Sequence, residues 1–175
     1  MREKILNLGQ IKQAIQYMRA VNQDIEKQKK LHPISQELKA SALPIPSKFS
    51  ESVAIYLLQK QQIVPKLRGY SFARSGSISD PDIIAISPDT TQRLTIEIKA
   101  SGSTGFNRLS EHDIKANYLI WFAFDKYCHD SNQDMFVVYS VPNPRQYFSK
   151  SGYMSLTNFL KIVKSGLTTT QISLS

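Results

Sequence analysis

The sequence predicts an α/β or α+β fold in which a central mixed sheet lies between helices. Three observations lead to this prediction. Apolar residues recur at helical spacing near the N-terminus, short β-type runs separated by turn residues fill the middle, and helical spacing returns near the end. A length of 175 residues suits one ordinary domain. We therefore expect a single domain over residues 1–175, with a helical N-terminal section at 1–46 and the core at 47–175.

The first helix is predicted by a stripe of apolar residues at alternating spacings of three and four. The stripe consists of Ile11, Ala14, Met18, Val21 and Ile25. Lysines follow where the last turn of a helix favours cations, and His32-Pro33 ends the pattern. Such a stripe docks on the protein's own core or forms a dimer contact, and the sequence allows both interpretations.

A second helix is predicted after the stiff connector Leu43-Pro44-Ile45-Pro46. Ser47 offers an N-cap, so we expect the helix over residues 48–61. Within it, Glu51 lies beside apolar residues on a helical projection, which places a carboxylate at the edge of a buried face. The alternative interpretation is a first-turn acid that the helix dipole favours.

Beyond Pro65 the sequence changes to short runs of β type, with clear breaks at Ser75-Gly76-Ser77 and Pro88-Asp89-Thr90. The predicted strands cover residues 82–87, 93–100, 118–124 and 135–141. A crossover helix is expected within 109–116. A C-terminal helix is expected around Leu156 to Val163, where apolar residues have helical spacing.

The chain is basic, with 22 Lys and Arg against 14 Asp and Glu, a net charge of +8 and an isoelectric point near 9.6. This charge favours a polyanionic partner, most often nucleic acid, through counterion release. A membrane surface would attract the same charges, and a basic domain without a specific partner is the third interpretation.

Export, membrane insertion and zinc binding are not indicated. The N-terminal stretch lacks the unbroken apolar run of a signal peptide. The longest apolar run, residues 118–124, is far shorter than the roughly 20 residues that cross a bilayer. The one cysteine, Cys128, cannot form an internal disulfide, and no Cys/His cluster has zinc-site spacing. We expect a soluble protein of the reducing cytoplasm that does not associate with membranes.

Two carboxylates and one ammonium group are predicted to converge in the sheet. Strand periodicity places Glu97 and Lys99 on one face of the strand at 93–100, while Ile98 and its apolar neighbours occupy the other. Asp82 begins the preceding strand, and a short turn joins the two as an antiparallel hairpin. A hairpin with a plain cross-strand ion pair is the alternative interpretation.

These residue types suit phosphodiester hydrolysis, which needs a hard divalent cation beside the scissile phosphate. Mg²⁺ prefers oxygen ligands, and Asp82, Glu97 and the main-chain carbonyl of Ile98 would supply them. Lys99 would orient the attacking water, lower its pKa or stabilise charge in the transition state. Glu51 would hold a second metal ion or orient Lys99.

Pro81-Asp82 followed by Glu97-Ile98-Lys99 resembles the PD-(D/E)XK nuclease signature, with 14 residues between Asp82 and Glu97. Ser50-Glu51 on an upstream helix and the apolar strand that begins at Tyr118 are similar to features of type II restriction endonucleases.

The resemblance implies a restriction-endonuclease-like core and Mg²⁺-dependent cleavage of double-stranded DNA at a short specific site by a homodimer. Mn²⁺ is expected to substitute for Mg²⁺, and Ca²⁺ to support binding only. The resemblance also implies that the protein acts in a prokaryotic cytoplasm and has a companion DNA methyltransferase. A repair nuclease similar to Holliday-junction resolvases is the second interpretation, and a non-catalytic DNA-binding protein is the third.

The same short pattern occurs elsewhere in the chain. Glu37-Leu38-Lys39 and Asp113-Ile114-Lys115 match the second half of the motif, and Pro88-Asp89 matches the first. Only Asp82 with Glu97 and Lys99 combines order, spacing and strand context, so the sequence assigns no role to Asp113.

DNA contacts are predicted on both sides of the hairpin. A basic stretch interleaved with aromatic residues precedes it, and a Gly/Ser-rich loop follows it. The candidate DNA-binding residues are Lys66, Arg68, Arg74, Ser101, Ser103, Thr104 and Arg108.

Overall fold

A computed structural model describes residues 5–32, 34, 43–75, 81–102, 106–130 and 132–174. The helices in this part of the chain are α1 (Leu8–Leu31), α2 (Ser47–Gln59), α3 (Glu111–Lys115) and α4 (Leu156–Val163). The strands are β1 (Ser71–Arg74), β2 (Ile83–Ile86), β3 (Arg93–Ser101), β4 (Phe106–Leu109), β5 (Tyr118–Ala123), β6 (Phe136–Pro142), β7 (Gly152–Ser155) and β8 (Thr168–Ile172). Two 3-10 turns lie at Pro65–Leu67 and Pro144–Gln146.

The main sheet has six strands in the order β1-β2-β3-β5-β6-β8. β3 and β5 pair in parallel, and the other neighbours pair antiparallel, so the sheet is mixed. β4 and β7 form a separate antiparallel ribbon. Helices flank the main sheet, and the predicted fold class is confirmed.

Two apolar cores lie on the two sides of the main sheet. The first includes buried residues of α1 and α2, and the second includes buried residues of α3 and α4. Along β5 the side chains alternate between them: Ile120 and Phe122 join the first core, while Leu119 and Trp121 join the second. β5 is therefore buried on both faces, which is why its sequence reads as a continuous apolar run.

α1 packs its apolar stripe on the first core. Asn7 and Gln10 form a capping box at its N-terminus. Ile11, Ile15 and Met18 are buried, whereas the predicted stripe member Val21 is only half buried. The own-core interpretation therefore describes this helix, and a dimer contact stays a prediction.

α2 runs over nearly the predicted range but begins one residue earlier. Pro46 takes the N-cap position, and Ser47 is the first helical residue. The helix ends at Gln59, and Gln61 adopts a positive φ of 56° that ends the helical path. No helix in the described residues is long and apolar enough to cross a membrane.

The crossover helix is shorter than predicted. Leu109 is the last residue of β4, and Ser110 is the N-cap of α3. The helix α3 therefore has only five residues. The strands β1, β4, β7 and β8 were not predicted, because they are four or five residues long and lack a continuous apolar run.

Candidate active site

The predicted hairpin forms, and it brings Asp82 to β3. β2 pairs antiparallel with β3 from Ile83 opposite Ile96 to Ile86 opposite Arg93. Asp82 lies one residue before β2, and its Oδ2 accepts a hydrogen bond of 2.8 Å from the backbone N–H of Ile98. The start of β2 is thereby fixed beside the second half of β3.

Strand periodicity sets the directions of the β3 side chains. Ile96 and Ile98 are buried in the first core. Glu97 and Lys99 consequently project to the opposite side of the sheet, where α3 and the second core lie. An apolar face thus anchors the strand, and a polar face carries its ionisable groups.

Lys99 contacts two carboxyl groups. Its Nζ lies 3.2 Å from Oε1 of Glu97 and 2.9 Å from Oδ2 of Asp113. The side chains are largely shielded from solvent, with exposed fractions of 17% for Lys99, 10% for Glu97 and 4% for Asp113. Lys99 is therefore held by acids from its own strand and from α3.

Asp113 is the site residue that the sequence analysis missed. It forms a capping box with Ser110: Ser110 Oγ accepts from Asp113 N at 3.3 Å, and Asp113 Oδ2 accepts from Ser110 N at 2.6 Å. The same oxygen contacts Lys99. The pattern Ser110-x-x-Asp113 resembles a capping box in the sequence, and it was the available signal for a helix start at this point.

The site holds three carboxyl groups and one ammonium group. Burial raises the pKa of Asp82, although the Ile98 N–H and the charge of Lys99 oppose that rise. Burial, the hydrogen bond with Asp113 and repulsion from Asp82 together raise the pKa of Glu97 to about 9. Near neutral pH, Glu97 therefore retains a proton.

The partners of Glu97 stay charged. Burial disfavours ionisation of Asp113, but hydrogen bonding with Glu97 and the charge of Lys99 outweigh it and lower the pKa of Asp113. Burial likewise acts against the Lys99 cation, yet the carboxyl groups of Glu97 and Asp113 raise the pKa of Lys99 overall. Lys99 is consequently a hydrogen-bond donor and not a base.

The oxygens near Asp82 fit a hard divalent cation. Asp82 and Glu97 offer carboxylate oxygens, and Mg²⁺ needs few protein ligands because it keeps several waters. Ile98 turns its N–H toward Asp82, and its carbonyl points to the same side in an extended strand. Pro81, which precedes Asp82, has no N–H to donate to that carbonyl.

The carboxyl groups are engaged with each other and with Lys99 in this conformation. Within the described ranges, no group of three or more His, Cys, Asp or Glu side chains is arranged to hold a metal ion. Glu97 and Asp113 direct oxygens to Lys99. A bound cation would therefore take the place of the proton on Glu97.

Glu51 lies away from Lys99, on the α2 side of the sheet. Its buried carboxylate pairs with Arg74 of β1. Arg74 shares its side of β1 with Phe72, which packs on the first core. This corrects the expectation that Glu51 orients Lys99, because Asp113 is the acid that contacts Lys99 from outside its own strand. It also places Arg74, a predicted DNA contact, in an intramolecular ion pair.

The remaining predicted DNA contacts are dispersed. Ser101 is buried at the end of β3, and its Oγ accepts from Trp121 Nε1 at 3.0 Å, which corrects its expected place in a DNA-contacting loop. Ser103 and Thr104 lie outside the described residues. Arg108 is exposed on β4.

Lys66 and Arg68 are exposed in the segment before β1. β1 starts at Ser71, which pairs with Ile86. Ile86 lies at the end of the hairpin that is farther from Asp82. About four residues of extended chain, or roughly 13 Å, separate that end from Asp82.

No protein-family model matches this chain, and no curated protein matches it at a significant level. Among solved structures, it is similar to Hjc of Archaeoglobus fulgidus, described as a Holliday junction resolvase from an archaeal hyperthermophile. The similarity has a TM-score of 0.33 and a sequence identity of 15%, and covers 62% of this chain and 86% of that chain. The geometry of the site therefore carries the functional argument.

Proposed function

We propose that this protein is a Mg²⁺-dependent nuclease that hydrolyses phosphodiester bonds in DNA. The observation that carries the proposal is the imbalance of charge at the hairpin. Among the described residues, one cation serves three acids: Lys99 contacts Glu97 and Asp113, and its charge acts on Asp82. A buried site with more acids than cations binds a proton or a metal ion, and its oxygens suit Mg²⁺.

In this proposal Asp82, Glu97 and the carbonyl of Ile98 hold the metal ion. When bound, the ion activates a water molecule and neutralises charge on the phosphate. Asp82 is positioned for this role by the hydrogen bond that it accepts from Ile98 N–H, and Glu97 by its place on β3. Glu51, as the candidate for a second metal ion, is less suited because it already pairs with Arg74.

Lys99 acts as a cation that donates hydrogen bonds to the phosphate as negative charge develops. The raised pKa of Lys99 favours this role over that of a general base, because the ammonium form persists at neutral pH. Asp113 is a positioning residue in this proposal. It fixes the ammonium group from α3, and the capping box in turn fixes Asp113.

For the substrate, we propose double-stranded DNA, which complements the net charge of +8. The finer proposal is a type II restriction endonuclease that acts as a homodimer and has a companion DNA methyltransferase. The alternative is a nuclease for branched DNA, as in the resolvase interpretation. A DNA-binding protein without activity is the third class, in which Glu97 and Lys99 only pair.

One digest separates these classes. Unmodified plasmid and a synthetic four-way junction are incubated with the protein in Mg²⁺, Mn²⁺, Ca²⁺ or EDTA. Discrete plasmid fragments support the restriction enzyme, preferential cutting of the junction supports the resolvase, and binding without cutting supports the third class. We expect cutting in Mg²⁺ and Mn²⁺ and binding alone in Ca²⁺. Cutting in EDTA would contradict the metal-dependent mechanism.

A further inference from the structure

The ribbon of β4 and β7 has one face on the second core and one face in solvent. On the inner face, Leu109 is buried and Met154 packs against the same core. Asn107 Nδ2 donates to the backbone oxygen of Ala100 at 3.1 Å, which fastens the ribbon to the end of β3. Arg108 and Tyr153 are register partners on the outer face.

The outer face combines an exposed aromatic ring with positive charge. Tyr153 is 78% exposed, the largest value among the large hydrophobic side chains in the described ranges. Arg108 opposite it is also exposed, and so is Lys150 shortly before β7. Tyrosine and arginine are both enriched at binding surfaces. The tyrosine ring makes a large contact at a small cost in conformational entropy, and the arginine guanidinium donates several hydrogen bonds in a fixed planar geometry.

Both ends of β4 connect to the proposed active site. Ala100, to which Asn107 is bonded, directly follows Lys99. At the other end, Leu109 is followed by Ser110, which caps α3 and holds Asp113 against Lys99. The outer face therefore belongs to a strand that is joined at both ends to the groups that we assign to catalysis.

We propose that the outer face of this ribbon, with Arg108 and Tyr153 at its centre, contacts the DNA duplex beside the scissile phosphate. This inference rests on the proposed nuclease function. A two-stranded ribbon has the dimensions to enter the major groove of B-DNA. Arg108 pairs with a phosphate or a base edge, and the Tyr153 ring packs on an adjacent sugar or base.

The test is duplex binding without cleavage. A fluorescently labelled duplex is titrated in EDTA with the full chain and with the variants Arg108→Ala, Tyr153→Ala and the double variant. We expect each single change to weaken affinity by roughly 5-fold to 100-fold, as for single arginine or stacking contacts. The double variant should weaken affinity by less than the product of the two single fold-changes, because the residues are neighbours.

Matched controls are available on other surfaces. Tyr17→Ala removes a 64% exposed tyrosine from α1, on the first-core side of the sheet. Arg145→Ala removes an exposed arginine from the 3-10 turn after β6. Both should change affinity less than 3-fold, because neither residue lies on the ribbon. Tyr153→Phe should bind almost as well as the parent chain, because it keeps the ring.

The outcomes separate this inference from the proposed function. If the parent chain binds duplex but the two ribbon variants bind it equally well, the ribbon surface is wrong and the nuclease proposal stands. If Tyr153→Ala leaves affinity unchanged and instead alters the mass measured by light scattering, the surface joins copies of the chain, and the inference is overturned. If the parent chain binds no DNA, both proposals fail.

Discussion

In the part of the chain that the structure describes, two buried acid–base clusters lie on opposite sides of the main sheet, and they differ in their charge balance. On the α2 side, Glu51 pairs with Arg74. On the α3 side, Lys99 contacts both Glu97 and Asp113, and Asp82 adds a third carboxyl group nearby. Among the described residues, one acid faces one cation in the first cluster, and three acids lie around one cation in the second.

The difference is consistent with a structural role for the first cluster and with the catalytic role that we propose for the second. A carboxylate with an arginine partner can stay charged in the interior, because each group compensates the other. Three carboxyl groups around one lysine cannot all ionise at neutral pH: burial, the hydrogen bond with Asp113 and repulsion from Asp82 raise the pKa of Glu97 to about 9. The second cluster therefore needs a proton or another cation.

The largest expected effect is the loss of cleavage when the α3-side cluster is altered. Asp82→Ala, Glu97→Ala and Lys99→Ala should each reduce the cleavage rate by roughly 10³-fold or more, the size seen when a single charge-stabilising donor is removed. Rates on plasmid in Mg²⁺ measure this. DNA affinity in EDTA should be retained or increased in the Asp82 variant, since a negative charge is removed. It should be retained in the Glu97 variant, since Glu97 is protonated without metal.

Two changes outside the cluster serve as controls for that experiment. Lys115 is exposed on α3, where it pairs with Glu111, and Glu37 lies outside the described residues. Lys115→Ala and Glu37→Ala should cut at the parental rate. Lost activity in these variants, together with retained activity in Glu97→Ala or Lys99→Ala, would show that the site assignment is wrong.

Breaking the balanced pair should instead reduce stability. Glu51→Ala removes the buried carboxylate that pairs with Arg74, and breaking a buried pair of this kind costs about 3–5 kcal/mol of unfolding free energy. Denaturant unfolding of the parent and variant gives the difference. Replacing Glu97 with Gln should cost much less. Equal losses at the two positions would remove the distinction between the clusters.

Asp113 should show an intermediate effect on turnover. Asp113→Asn keeps the shape of the side chain but removes the charge that holds Lys99, so we expect kcat to fall by roughly 10²-fold with KM little changed. Asp113→Glu restores the charge and should recover part of the rate. A variant that loses stability and kcat in parallel, without rescue by Glu, would indicate only a helix-capping role.

A pH dependence of stability is also expected in EDTA. The folded chain holds a proton on Glu97 up to about pH 9, whereas the unfolded chain releases it near the ordinary value of 4.5. The resulting stabilisation is complete below the unfolded pKa and is lost as pH rises through the folded pKa. Thermal melts followed by circular dichroism should show a decline across this interval.

Glu97→Gln provides the control for the melts. It cannot ionise, so its melting temperature should decline less over the same interval. The lowered pKa of Asp113 has the opposite effect on stability. It stabilises the folded chain at neutral pH, and this stabilisation is lost as the pH falls through acidic values. If the melting temperature of Glu97→Gln declines as much as that of the parent chain, another group causes the decline.

The hairpin part of the site could be predicted because it is local. Period two fixes the faces of β3, and a short turn fixes the register that brings Asp82 to Ile98. Asp113 could not be predicted in the same way. Its approach to Lys99 depends on β4 and on the parallel pairing of β3 with β5, which join segments distant in the chain.

The partner of Glu51 could not be predicted for a related reason. Helical projection correctly placed Glu51 at a buried face, but its partner depends on the strand that lies beneath α2. That strand, β1, has four residues and alternates exposed with half-buried positions, so its short run gave no clear strand signal.

Trp121 gives the protein a built-in optical reporter. It is the one tryptophan of the chain, it is fully buried, and its indole N–H donates to Ser101. On β5 it is the register partner of Lys99. Its fluorescence emission therefore arises from a single position directly beside the proposed catalytic strand. Refolding or cation titrations can consequently be followed at that strand without attaching a label.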